Sequence, residues 1–200
     1  MHTDTLNPEY TLDESGMMPV LRHPLIVMPF TGDVTAANKI LEVQRERARS
    51  YADDSNLAGF VWSHARPFRP EILWLHRDMA DDNQVFSKLA IECWTDTEFP
   101  SDQDSLWDLI WSEVDPSTGC TPDDWAHLNR MGDSDHVELF RGGSRTGRSW
   151  TTDRSVAEFF ANRFGDGKVH RLMIDPLQIV AYISGRGESE CVLLEPARGN

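Results

Sequence analysis

The chain is predicted to be an α+β protein in which a helical N-terminal part packs on a small β-rich C-terminal part. Three observations carry that expectation. Helical periodicity runs from about residue 33 to 132, short runs rich in Val, Ile, Leu, Phe and Tyr follow Gly132, and the charge balance changes at nearly the same place. Residues 1–136 hold 10 Lys and Arg against 25 Asp and Glu, whereas residues 137–200 hold 9 against 8. At 200 residues, 40% of them hydrophobic and seven of them Trp, the chain has the length of about one domain and enough apolar side chains to bury a core.

Taken in order, residues 1–32 are proline-punctuated and aperiodic, and are expected to be a partly ordered leader crossing the surface. Residues 33–132 are expected to be an acidic helical region. Its first helix spans about 34–52, with Ala37, Ile40, Leu41, Ala48 and Tyr51 on one face and Lys39, Glu42, Arg45, Glu46 and Arg49 on the other. Further helices are predicted over Pro70–Met79, Asn83–Trp94 and Ser101–Val114. In the last of these, Ser101 or Asp102 is the candidate cap, and the tryptophans are read as core. Thr121-Pro122-Asp123-Asp124 opens another helix, with a capping hydroxyl, proline at the first position and acids at the positive end of the helix dipole. Residues 133–200 then hold predicted strands over His136–Phe140, Lys168–Ile174, Ile179–Ser184 and Cys191–Glu195, with one helix, Ser155–Phe164, between them. So short a strand-rich segment cannot seal its own core and is expected to pack with the preceding helices.

Several function classes are disfavoured at this level. The best apolar run, Pro24–Phe30, is far short of the roughly 18 residues a spanning helix needs, so no membrane association is expected. The acidic first residues lack a basic segment followed by an apolar one, which makes a cytoplasmic home the expectation. Cys93, Cys120 and Cys191 are odd in number and scattered, arguing for reduced thiols, and no paired Cys/His spacing suggests a metal. The acidic N-terminal two-thirds repels phosphate backbones but could dock a basic partner.

Three motifs in the last third stand in a fixed order. The first is Glu138-Leu139-Phe140-Arg141-Gly142-Gly143, a strand ending in Arg and two glycines. The second is Gly147-Arg148-Ser149-Trp150-Thr151-Thr152-Asp153, with Ala157 and Phe160 eight and eleven residues beyond Ser149. The third is Gly187-Glu188-Ser189-Glu190-Cys191-Val192-Leu193-Leu194, an acid pair entering a hydrophobic strand. Over residues 136–196 this order resembles the Arg-Ser-Glu class of mono-ADP-ribosyltransferases, whose strand Arg is followed by a Ser-x-Ser/Thr motif and then Glu-x-Glu. The resemblance implies a small split β-sandwich carrying the cleft, with NAD as the substrate that is cleaved.

Residue by residue, the resemblance gives Arg141 an NAD phosphate, a role that suits an always-charged, forked donor. Gly142 would let the backbone approach nicotinamide. Ser149 would contact the ribose and hold the catalytic carboxylate in register, and Thr151 would support the same strand. Phe160 would lie against nicotinamide, with a core place beside Phe159 as the equal alternative. Glu190 would be the catalytic acid, stabilising the cationic ribose as nicotinamide leaves. Glu188 would orient or deprotonate the acceptor, which in this family goes with arginine-directed modification.

Departures from the pattern are Trp150 in place of a small middle residue, Arg186 where an aromatic is common, and the short span from Arg141 to Glu190. The leading expectation is transfer of ADP-ribose from NAD to a protein arginine with release of nicotinamide, and no metal. Two alternatives stand beside it. One is a non-catalytic acidic binding or inhibitor protein on a transferase-like scaffold. The other is a transferase whose acceptor is nucleic acid, permitted by Arg145, Arg148 and Arg154.

Overall fold

A computed structural model describes residues 5–98, 100–164 and 167–197. The fold is mixed α+β, with two antiparallel sheets of three and five strands. The chain divides into two compact units, Met1–Asp81 and Asp82–Asn200.

In the first unit, β1 (Thr11–Asp13), β2 (Val20–His23) and β3 (Ile26–Pro29) form an antiparallel meander with Leu12 opposite Leu21 and Leu21 opposite Met28. This corrects the expectation of an aperiodic leader. Alternation over three or four residues is too short to read in sequence, and the strands are stabilised by what they meet later in the chain. Tyr10 and Leu21 are buried with Ala37 and Leu41 of α1 (Val34–Asp53), and the Tyr10 hydroxyl donates to the Ala37 carbonyl at 2.8 Å. Asp33 caps α1 by accepting from the Ala36 N–H at 2.9 Å, and Ala37, Leu41 and Ala48 form its buried face. Ile40, assigned to that face in sequence, is 39% exposed. Two shorter helices, α2 (Leu57–Trp62) and α3 (Arg69–Leu75), complete the unit, the first of them not anticipated. Gly59 of α2 is required because a Cβ there would lie 2.3 Å from the Tyr51 ring.

The second unit begins with helices. These are α4 (Asn83–Asp96), α5 (Asp104–Glu113), the single turn α6 (Pro116–Gly119) and α7 (Pro122–Gly132). Thr121 caps α7, accepting from the Asp124 N–H at 3.2 Å with Pro122 at the first position, as the local sequence predicts. The position preceding α5 is Gln103, which makes no side-chain cap bond, so Asp102 does not take the predicted role; the side chain of Ser101 lies outside the described residues.

The sheet follows, built from β4 (Val137–Gly142), β5 (Gly147–Thr151), β6 (Val169–Ile174), β7 (Ile179–Ile183) and β8 (Glu190–Ala197), in the spatial order β6-β4-β5-β8-β7. The helix α8 (Arg154–Phe164) lies between β5 and β6 in the chain and packs on β4. One sheet face carries Leu139, Trp150, Tyr182, Cys191 and Leu193 into a core shared with Leu128 and Met131 of α7. By pleat alternation Ser149, Thr151 and Glu190 turn to the opposite face, since Thr151 pairs with Glu190 and Ser149 with Val192. Among the described residues, no helix is long and apolar enough to cross a membrane.

Candidate active site

The register of β5 against β8 decides the site. Pairing Thr151 with Glu190 places the Ser149 side chain two residues along the same face from the Glu190 carboxylate. On its other side β5 pairs with β4 only at Phe140 and Thr151, after which the two strands diverge. The Arg141 guanidinium occupies that opening. Its Nε donates to the Ser144 carbonyl at 2.8 Å and one terminal nitrogen donates to the Ser149 carbonyl. Gly147, at φ +121°, leaves room for the other: a Cβ there would sit 3.1 Å from Arg141 Nη2. Sequence reading gave Gly147 no role, although a glycine four residues before Thr151 is the signal that a neighbouring side chain crosses the strand there.

Each of the three motif residues keeps one polar group unused. Among the described residues, Arg141 Nη2, the Ser149 hydroxyl and Glu190 Oε2 have no hydrogen-bond partner, and the Arg141 guanidinium faces no carboxylate at ion-pair distance. Burial pulls the Arg141 guanidinium below its ordinary titration range, and the negative charge of Glu190 opposes that shift, which places the two within electrostatic reach. Glu190 is 8% exposed and its Oε1 accepts from the Trp94 indole at 3.0 Å. Sequence reading missed Trp94, and no local signal could reveal it, because the partners are 96 residues apart.

Glu188 is half-buried, and its carboxyl is raised above the usual range by burial first and by the charge of Glu190 second, with Arg186 opposing. Ser189 between the two acids adopts φ +45°, a left-handed turn that breaks the strand alternation between them. Thr151 is buried and donates to the Glu188 carbonyl at 2.7 Å while accepting from the Asp153 N–H at 3.0 Å. It therefore ties the acid loop to the start of α8. Phe160 is half-buried, edge-on to Phe159 at 5.4 Å, and Phe159 is itself exposed.

The packing bears on three of the positions singled out in the sequence. The resemblance gives the Gly142 backbone an approach to nicotinamide, and a Cβ at this position would lie 2.1 Å from the Ala157 carbonyl oxygen and 2.3 Å from the Ala161 nitrogen. The glycine is demanded by the close approach of α8 to β4. Trp150 takes a packing role: it is 2% exposed in the core on the opposite face from Glu190, with its indole N–H donating to the Gly147 carbonyl at 3.1 Å. Arg148, one of three arginines that permitted a nucleic-acid acceptor, is fully buried. It is bonded to Asp108, to the Leu193 and Leu194 carbonyls, and lies 3.8 Å from Asp104. Its Nε is buried without a hydrogen-bond partner, and at 2% exposure the side chain presents no donor to a phosphate from solvent.

Other chemistry finds little support nearby. An open groove bordered by Arg145, Leu172, Gln178 and Glu195 lies on the Trp150 side and contains none of Arg141, Ser149, Glu188 or Glu190. Cys93, Cys120 and Cys191 are all buried, and burial beside Glu190 pushes the Cys191 thiol up to about 12, the wrong direction for a nucleophile. Among the described residues, no group of three or more His, Cys, Asp or Glu is placed to hold a metal ion.

No protein-family model, no curated protein and no solved structure matches the chain.

Proposed function

We propose that the chain is an NAD-dependent mono-ADP-ribosyltransferase acting on a protein arginine, with the divergence of β4 and β5 as the split of the family's β-sandwich. The observation that carries the reading is that Ser149 and Glu190 share one face of the β5–β8 pair while the Arg141 guanidinium reaches the Ser149 carbonyl from β4, each residue with one polar group left for a ligand. A cation, a free hydroxyl and a buried carboxylate are the chemistry that a dinucleotide with a cleavable ribosyl bond needs.

In this reading Arg141 Nη2 takes the diphosphate and Ser149 Oγ a ribose hydroxyl. Glu190 Oε2 accepts from a ribose hydroxyl as the C1′–N bond breaks. Nicotinamide leaves with the bonding pair, and the positive charge that develops on the sugar is stabilised by a carboxylate already fixed in a water-poor setting. A guanidine nitrogen of the acceptor then bonds to C1′ and passes its proton to Glu188. The raised titration of Glu188 suits that step, since it brings the base nearer to working pH. Water in place of the acceptor gives free ADP-ribose. Phe160 and the Gly142 backbone are candidate nicotinamide contacts.

The test is nicotinamide release from NAD, followed with and without agmatine as a soluble guanidine acceptor, for the wild type and Glu190→Gln. The expected loss in Glu190→Gln is on the order of 100- to 1000-fold in kcat. Equal rates from the two proteins, or no release by the wild type, would overturn the reading. The second of these outcomes favours the non-catalytic acidic binder.

A further inference from the structure

The second unit contains a cluster of three tryptophans that does more than fill space. Trp94 of α4 lies edge-on to Trp107 at 5.0 Å and to Trp111 at 5.5 Å, and these two stack on each other at 5.5 Å. All three are at most 4% exposed. Their indole N–H groups are treated differently. Those of Trp107 and Trp111 are buried with no partner among the described residues, whereas that of Trp94 donates to Glu190 Oε1.

From this we infer that Trp94 is the positioning residue for the catalytic carboxylate, an assignment that rests on the transferase reading. Glu190 follows the left-handed Ser189 and is paired with Thr151 on one side and Ile183 on the other, which fixes its backbone but leaves its side-chain torsions free. The indole closes that freedom. A charge-assisted N–H···O bond fixes one carboxylate oxygen and thereby aims the other, while the two neighbouring rings prevent the indole from following the carboxylate if it swings. Trp94 itself touches no substrate. Its effect is on the fraction of molecules whose Glu190 is correctly oriented, which enters kcat more than substrate affinity.

The experiment compares Trp94→Phe with Trp107→Phe. Both keep a ring in the cluster and lose an N–H, but only the first loses a hydrogen bond to Glu190. Trp94→Phe is expected to lower kcat for nicotinamide release by about 10- to 100-fold with KM for NAD within about twofold, and to lower it no further in a Glu190→Gln background. Trp107→Phe is expected to leave kcat within about threefold while costing a similar amount of thermal stability. Unchanged kcat in Trp94→Phe, or equal losses in both variants, overturns the positioning role while the transferase reading stands. A wild type that releases no nicotinamide removes that reading first. Should Trp94→Phe fail to fold, indole 1H–15N spectra of the wild type and Glu190→Gln decide. One strongly hydrogen-bonded indole signal must move, and a spectrum with every indole unchanged rejects the contact.

Discussion

Two arginines flank Ser149, and the contrast between them separates a structural charge from one available for chemistry. Arg148 is fully buried on the central strand of the five-stranded sheet, against α5. Asp104 and Asp108, one helical turn apart, face its guanidinium, and two carbonyls of β8 take other N–H groups. Arg141 is also largely enclosed, but its partners are carbonyl dipoles, and no described carboxylate pairs with it. A buried cation satisfied by neutral groups retains an unbalanced field, which an anionic ligand can complete. A cation already balanced by two carboxylates cannot do so. Residue type alone does not distinguish the two, and their partners do.

The comparison can be broken by substitution. Arg148→Ala is expected to have the largest effect on folding, about 3 to 5 kcal/mol, because a fully buried side chain and its ion pairs are lost together. Urea denaturation measures it, and a loss below about 1 kcal/mol would mean that Arg148 is not the strut described here. Gly142→Ala should follow at about 1 to 3 kcal/mol, since the added methyl meets helix backbone that cannot move aside as a side chain could. A neutral result by the same measurement would place α8 farther from β4 than observed.

Arg141→Lys sharpens the contrast from the other side. It keeps the charge and loses the fork, so KM for NAD should rise by about 10- to 100-fold while stability falls by about 1 kcal/mol. A drop in stability as large as that of Arg148→Ala, with KM unchanged, would make the two arginines equivalent and remove the distinction.

The smallest effect expected is that of pH on Glu188. Its carboxyl titrates above the ordinary value in the folded chain, so the folded state binds its proton more tightly than the unfolded state does. The ionised form is therefore penalised. The penalty is absent below the ordinary glutamate range, grows as pH rises from that range towards the raised folded value, and is fully present above it. Glu188→Gln should raise the melting temperature slightly at pH 7 and not at pH 4, and a gain of the same size at both pH values would refute the assignment.

Legibility in the sequence followed the range of the interactions. Helices α1, α4, α7 and α8 were readable because their caps and apolar spacing are local, down to the Thr121 cap and Pro122. The three-stranded meander was not, because its burial depends on Tyr10 and Leu21 meeting Ala37 and Leu41. β5 was missing from the predicted strands for a related reason. Alternating Ser149, Trp150 and Thr151 is too short a pattern to stand out, and its strand character comes from pairing with β8. In the candidate site the motifs identified Arg141, Ser149, Glu188 and Glu190 as residues worth locating. They did not reveal that the missing side chain of Gly142 also makes room for another helix.

Thus the order of residues alone determined the α+β class, most of the longer helices and the names of the polar side chains that could do chemistry, since each depends on neighbours within a few positions. The tertiary structure decided which of those side chains share a face, which arginine is neutralised, and that an indole 96 residues away holds Glu190. Strand register and buried hydrogen bonds join distant segments. Such pairings depend on how whole elements pack, and packing leaves no periodic trace in the chain.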